Sequence, residues 1–262
     1  MSTHRRAAVA GLFYPDRPAD LAASVDRYLE QAGESSGDPR PLALIVPHAG
    51  YIYSGPTAGR AYGLLRPYAG DIRKVVLIGP SHRVGFRGIA VPSVDLFDTP
   101  LGPVALDRPT IDRLLALPHV RTLDQAHAQE HALEVQLPFL LRTLDEFTLV
   151  PLVAGDADAD QVATVLDQAM EPGSLLLVSS DLSHFHDYDT ANRLDRQTAD
   201  LICARQGGLA GEQACGCRGI NGMLQLARED DWRVDLVDLC NSGDTAGDRQ
   251  RVVGYGAFAV YP

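Results

Sequence analysis

No apolar stretch in the 262 residues approaches the roughly 20 needed to span a bilayer, so a helical membrane protein is not expected. Basic residues are few and scattered. Against 34 Asp and Glu there are 23 Lys and Arg, a formal charge of −11, and no basic cluster is interleaved with aromatics. Nucleic acid and anionic membrane surfaces are therefore not expected partners. Cysteine is sparse as well. Four thiols, Cys203, Cys215, Cys217 and Cys240, do not make the disulfide framework of a small secreted domain, and the step from Cys215 to Cys217 matches neither a zinc knuckle nor a C-x-x-C redox pair. A reducing cytoplasm is the expected setting. Internal repeats and low-complexity tracts are absent, and the short apolar part of MSTHRRAAVAGLFYP reads as a first strand, not a signal peptide.

What is present is enough apolar material, 45% of the chain, for one α/β domain over residues 1–262. Its most informative stretch is LALIVPHAGYIYSG at 42–55. Five unbroken apolar residues at 42–46 suit a strand covered on both faces, and Pro47 stops its hydrogen-bond ladder just before His48. Then come Tyr51, Tyr53 and Ser54, which read as the wall of a pocket. Further along, KVVLIGPSH repeats the pattern with a strand at 75–78 presenting His82 and Arg83, and SLLLVSSDLSH repeats it with a strand at 174–179 presenting Asp181 and His184.

Between these, periodicity predicts a helix at 18–31 capped by Asp16, a surface connection at 32–41, and a helix at 56–65 whose Ala58, Gly59 and Ala61 approach the sheet closely. An excursion of short antiparallel strands is expected at 84–107, helices at 109–117 and 129–144, a strand at 147–153 and a helix at 159–170. Helices at 191–205 and 216–228 and strands at 234–239 and 252–260 complete the chain. Strands alternating with helices argue for a mixed, largely parallel central sheet with helices on both faces.

In open α/β sheets ligands sit beyond the carboxyl ends of the strands, so His48, His82, Asp181 and His184 are expected to converge if their strands are parallel neighbours. Cys215 is placed to join them from a helix start, where the helix field favours thiolate. Imidazoles, a thiolate and a carboxylate are what a transition-metal site needs. Taken singly, each has an ordinary reading: a hydrogen-bonded loop histidine, a core thiol, a helix cap. The pair Glu130-His131 reads either as pocket residues or as a solvated helix start, while His4, His119, His127, Cys203 and Cys240 read as ordinary structural residues.

PHAGYIYSG at 47–55, GPSH at 79–82, EHALEVQLPFL at 130–140, SSDLSHF at 179–185, ACG at 214–216 and NSGDTAGDRQRVVGYGAFA at 241–259, with GLFYP near the N-terminus, resemble the signature blocks of the Memo family (mediator of cell motility). Prokaryotic members of that family include the Memo-like component of the AmmeMemoRadiSam system. The resemblance implies a fold similar to the catalytic subunit of class III extradiol dioxygenases, which hold non-haem iron(II) through two histidines and a glutamate. His48 and His82 match the two histidines, Cys215 stands where the glutamate would be, His184 matches the acid/base histidine and Asp181 the pocket aspartate. The neighbouring thiol in CGCRG leaves Cys217 as an alternative ligand. A thiolate shifts preference toward copper and zinc as well as iron, so ring cleavage does not follow from the fold.

The expectation that follows is a redox or oxygenase-type protein acting on a small molecule with iron(II) or copper, the AMMECR1-like and radical SAM components of the same system being possible partners. Two rivals stand beside it: a module that binds a peptide side chain such as phosphotyrosine in the same pocket, and a zinc-dependent hydrolase.

Overall fold

A computed structural model describes residues 3–31 and 39–262, so most of the connection expected at 32–41 lies outside the described residues. The elements, in order, are β1 (His4–Arg5), α1 (Pro18–Glu30), β2 (Ala43–Val46), α2 (Tyr51–Gly63), β3 (Lys74–Pro80), β4 (Ile89–Val91), β5 (Leu96–Phe97) and β6 (Val104–Ala105). There follow α3 (Arg108–Leu114), β7 (Val120–Thr122), α4 (Asp124–Ala128), α5 (Leu137–Thr143), β8 (Thr148–Ala154), α6 (Ala159–Ala169) and β9 (Ser174–Ser179). The chain ends with β10 (His184–His186), α7 (Tyr188–Cys203), α8 (Cys217–Glu229), β11 (Arg233–Asn241) and β12 (Val252–Tyr261).

The large sheet runs β10-β12-β2-β9-β3-β8-β4-β7, with β11 also paired to β12. Its centre, β2-β9-β3-β8, is parallel, whereas β12 meets β2 and β4 meets β8 antiparallel. This is the mixed sheet with a parallel centre that the alternation of elements predicts. Strands β2, β3 and β9 are buried along their whole length, as their continuous apolar runs require. Alternation then decides what each face meets: the Val178 and Ile78 side chains lie under Gly219 of α8, while Ser179, the next residue, faces His48 and Gln136 on the other side. Helices flank the sheet, with α1 packed on α2 and α6 on α8. None of the described helices is long and apolar enough to cross a membrane.

Several local expectations need correction. Residues 7–14 form turns and bridges, not a strand, and only His4–Arg5 pair, with β5. This segment is held instead by buried Glu134, which accepts from Arg5 Nη1 (2.6 Å), Ala8 N (2.7 Å), Val9 N (2.9 Å) and Tyr14 Oη (2.6 Å). Asp16 does not cap α1; Arg17 occupies the N-cap without a side-chain bond, and Pro18 at the first turn fixes the start. Helix α2 begins at Tyr51, earlier than expected, and carries Pro56 inside. The close approach at Gly59 is to α1, since an added Cβ would collide with the Tyr28 carbonyl.

The helix expected at 129–144 is broken. Only Glu134–Gln136, a 3-10 turn, and α5 are helical, because the Glu130 carboxylate takes the amides of His131 and Ala132 (both 2.9 Å), offering the backbone an alternative to a helix. In the 84–107 excursion only β5 and β6 pair antiparallel with each other; β4 joins the main sheet, parallel to β7. Strands β7 and β10 and helix α4 are too short to leave a periodic signal.

Candidate metal centre

Parallel pairing puts the carboxyl ends of β2, β9 and β3 side by side, and the residues just beyond them meet. His48 is buried there. Its backbone N–H donates to Asp181 Oδ1 (2.7 Å) and its Nδ1 lies 2.9 Å from Ser179 Oγ. The Ser179 hydroxyl donates its one proton to the Ala132 carbonyl (2.7 Å) and accepts from Gln136 Nε2 (2.8 Å), so its remaining lone pair must receive a proton from His48. His48 is thereby assigned the Nδ1–H tautomer, and Nε2 is a bare lone pair. That nitrogen lies 3.3 Å from Cys215 Sγ.

His82 is oriented in the same way. Its backbone N–H and Nδ1 meet the two oxygens of Glu130 at 2.7 and 2.9 Å, which leaves its own Nε2 as the free donor. One ligand atom each from His48, His82 and Cys215 lie within 4.8 Å of one another. Tetrahedral ligands about 2.0–2.3 Å from a metal sit roughly 3.3–3.8 Å apart. The donor set therefore fits a transition metal, with both imidazoles in the tautomer that ligation requires and a backing partner behind each. Glu130 also forms a cluster with His82 and His131. Its oxygens already accept four N–H groups, from His82 twice and from His131 and Ala132, so it reads as the support of His82.

Electrostatics agree with an ion at this point. Burial, and then the neighbouring charge of His82, push the His48 pKa down to about 3, so its ring is neutral at pH 7. Burial also pulls at Glu130 in the opposite sense, but hydrogen bonds and charge from His82 outweigh it and bring the carboxyl down to about 2. The Cys215 thiol is pushed up to about 12, by burial first and Asp181 second. The sequence expectation of a helix-stabilised thiolate is thus corrected: Cys215 precedes the N-cap Gly216 of α8, and the helix field does not overcome desolvation. A cation is the partner that would make it a thiolate. Gly216 itself is required, because a Cβ there would stand 2.6 Å from the Ser179 carbonyl.

Cys217 begins α8 and falls outside the cluster. It lines a separate cavity of about 390 Å³ that reaches Cys215 from another side, together with Arg218 and Asp156. The other sequence candidates divide. His131 stacks on His82 (centroids 4.6 Å apart) and stands edge-on to His48 (5.4 Å), so Glu130-His131 is neither helical nor solvated. Asp181 is buried, its carboxyl raised by desolvation, and it carries His48 through the backbone bond. His131, Asp181, His184 and Tyr53 all line one cavity of about 580 Å³. Tyr51 and Ser54 do not. The Tyr51 hydroxyl donates to the Val135 carbonyl (2.7 Å) among Tyr14, Tyr28 and Phe139, and Ser54 donates back to Ala49 (3.0 Å), because helix α2 turns both inward. Arg83 is exposed and lines neither cavity.

His184 has no hydrogen-bond partner for its ring among the described residues, which leaves both nitrogens available to the cavity. The bulge that carries it places Phe185 at φ +65° between His184 and His186. Sequence reasoning missed Phe13, Tyr255 and Arg251 on the cavity wall and Ser179 and Gln136 behind His48. Each is a single residue in a run whose pattern reports only burial or a loop. Of the remaining candidates, His4 pairs with Asp98 (2.8 Å), His127 is buried against the Ala90 carbonyl (3.1 Å), and Cys203 and Cys240 are only partly buried.

Comparison with known proteins agrees with this geometry. The family model described as Memo-like protein matches residues 5–259. A MEMO1 family protein of Archaeoglobus fulgidus is 35% identical, the match covering 97% of this chain and 98% of the relative. MEMO1 family proteins of Thermotoga maritima and Aquifex aeolicus are each 34% identical over 96% of this chain and 97% of the relative. Coverage from end to end, with the metal-fitting residues inside the matched region, identifies the chain as a member of the Memo family.

Proposed function

We propose that the protein is a metal-dependent redox or oxygenase-type enzyme acting on a small molecule in the 580 Å³ cavity. The observation that carries this reading is the set of three donor atoms within 4.8 Å beside a cavity holding a histidine with no hydrogen-bond partner, since a closed structural site would supply a fourth protein ligand. His48, His82 and Cys215 would hold iron(II) or copper, the ions suited to imidazole and thiolate donors with redox chemistry, zinc being the redox-silent alternative. Bound there, the ion supplies Lewis acidity and, if iron or copper, electron transfer.

The chain's own residues do the rest. His184 takes a proton from a substrate hydroxyl, its ring nitrogens being uncommitted. Asp181 and Ser179 keep His48 in place and in one tautomer, and Glu130 does the same for His82. Phe13, Tyr53 and Tyr255 supply flat apolar walls that exclude water and orient a planar body. The AMMECR1-like and radical SAM components of the same system are the partners this reading expects, and a thiol donor suits a reducing, cytoplasmic setting.

Loading with Fe(II), Cu(I) or Zn(II) under anaerobic conditions, followed by metal analysis and O2 uptake on a panel of small phenols and diols, tests the proposal. Stoichiometric metal that is lost in His48→Ala, with O2-dependent turnover lost in His184→Ala at full metal content, is the expected result. Equal turnover with zinc and without O2 would replace it by the hydrolase reading. Unchanged ligand binding in metal-free protein, with no turnover under any loading, would replace it by the phosphotyrosine-type binding module.

A further inference from the structure

We propose that Arg251 selects the substrate of this cavity: a small, flat molecule bearing an oxyanion, carboxylate or phosphate, which the guanidinium receives at the mouth. The inference rests on the reading of this cavity as the substrate side of the metal centre. It names what enters.

Arg251 immediately precedes β12 and lines the cavity together with His131, Asp181 and His184. Arg5, Arg60, Arg108, Arg142, Arg205 and Arg218 each reach a carboxylate. The exposed Arg251 guanidinium, like those of Arg83 and Arg87, has neither a carboxylate nor a hydrogen-bond partner among the described residues; unlike them it lines this cavity. Its only contact of note is with Phe185, whose ring centroid is 5.0 Å from the guanidinium carbon. Neither acid on the cavity wall pairs with it: Asp248 accepts at Oδ1 from Gln250 N (2.8 Å) and Arg251 N (3.4 Å), and Asp181 at Oδ1 from His48 N.

Phe185 explains why the guanidinium stays at the mouth. A non-glycine residue at positive φ and a phenyl ring that is 62% exposed are both unfavourable locally, and both occur at the bulge between His184 and His186, where the Phe185 ring meets His184 edge-on (centroids 5.7 Å apart). The guanidinium carbon sits over the ring, a cation–π contact. That contact uses none of the Arg251 N–H groups, which leaves its fork available to grip a carboxylate or phosphate through two parallel bonds. The cavity behind it is aromatic, with Phe13, Tyr53 and Tyr255, so the body of the ligand is flat. With a net charge of −11 the overall field repels anions, so selection of one depends on this local cation.

The experiment is titration of benzoate, phenyl phosphate and benzamide into as-purified and chelator-treated protein, its Arg251→Met and Arg251→Lys variants, with metal content measured on the same samples. The acids should bind about tenfold or more tighter than benzamide, Arg251→Met should erase that preference and Arg251→Lys restore part of it, all independently of chelation. The tighter of the two acids identifies the source of the oxyanion. Equal binding of all three probes, a preference surviving in Arg251→Met, or a preference lost on chelation would overturn the proposal. Protein that takes up no metal yet keeps the Arg251-dependent preference would defeat the metal reading alone; metal uptake with no anion preference would defeat this inference alone.

Discussion

Glu130 grips His82 twice, accepting the backbone N–H at 2.7 Å and the ring Nδ1–H at 2.9 Å, while remaining almost wholly buried. One carboxylate therefore sets both the place of that histidine and its tautomer. Replacing it by Gln offers an amide of equal size with half the acceptor capacity. Glu130→Gln is expected to weaken metal affinity about 10- to 100-fold. Competition against a chromophoric chelator would show it, and unchanged affinity would mean that His82 needs no such support.

Cys215, not Cys217, is the sulfur placed against His48. Cobalt(II) added to the protein should give a near-ultraviolet sulfur-to-metal band that disappears in Cys215→Ser and survives in Cys217→Ser. Because the thiol is pushed up to about 12 and His48 down to about 3, uptake near pH 7 should release the Cys215 proton and none from His48. Release measured at fixed pH should fall by about one proton in Cys215→Ser.

The Arg5–Glu134 pair is buried on both sides, with side chains 6% and 0% exposed. Removing one member leaves a buried charge without its counter-ion, and Gln at 134 offers one acceptor oxygen to four donors, so Glu134→Gln should cost about 3–5 kcal/mol in urea unfolding. A double variant, Arg5→Met with Glu134→Leu, should be less destabilised than the more damaged single variant. Additive losses would contradict the coupling.

His127 provides the clearest acid-stability prediction away from the candidate metal centre. Burial lowers its pKa from 6.5 to about 4, so between those values the unfolded chain binds the proton and the folded one does not. Stability from this group is complete above pH 6.5 and declines as the pH falls toward 4, by on the order of 3 kcal/mol. His127→Gln can still donate to the Ala90 carbonyl and should flatten that limb of the unfolding profile.

Much of this was legible from residue order. The buried strands at 42–46, 75–78 and 174–179 announced themselves as unbroken apolar runs, and histidines just past such runs had to share an edge once the strands were parallel neighbours. What was not legible depended on partners distant in sequence. Tyr51 looked like a pocket residue until helix α2 was seen to start there and turn it toward Phe139. The helix expected over 129–144 was a fair reading of its leucines, and it failed because one carboxylate competed for the amides. Arg251 carries no pattern at all; only the bulge at Phe185 gives it meaning.

The sheet order also fixes when the centre can exist. Strand β2, which delivers His48, lies between β9 and β12, so its neighbours are encoded at 174–179 and 252–261. As the chain leaves the ribosome, both histidines emerge early, but the strand that carries His48 has nothing to pair with until β9 follows, and its other edge waits for β12. Cys215 arrives between those two events. A nascent chain therefore holds separated, mobile imidazoles and no thiol among them, and cannot capture a soft metal with the finished geometry. The donor geometry of the candidate centre is therefore complete only once β9, Cys215 and β12 have all been made.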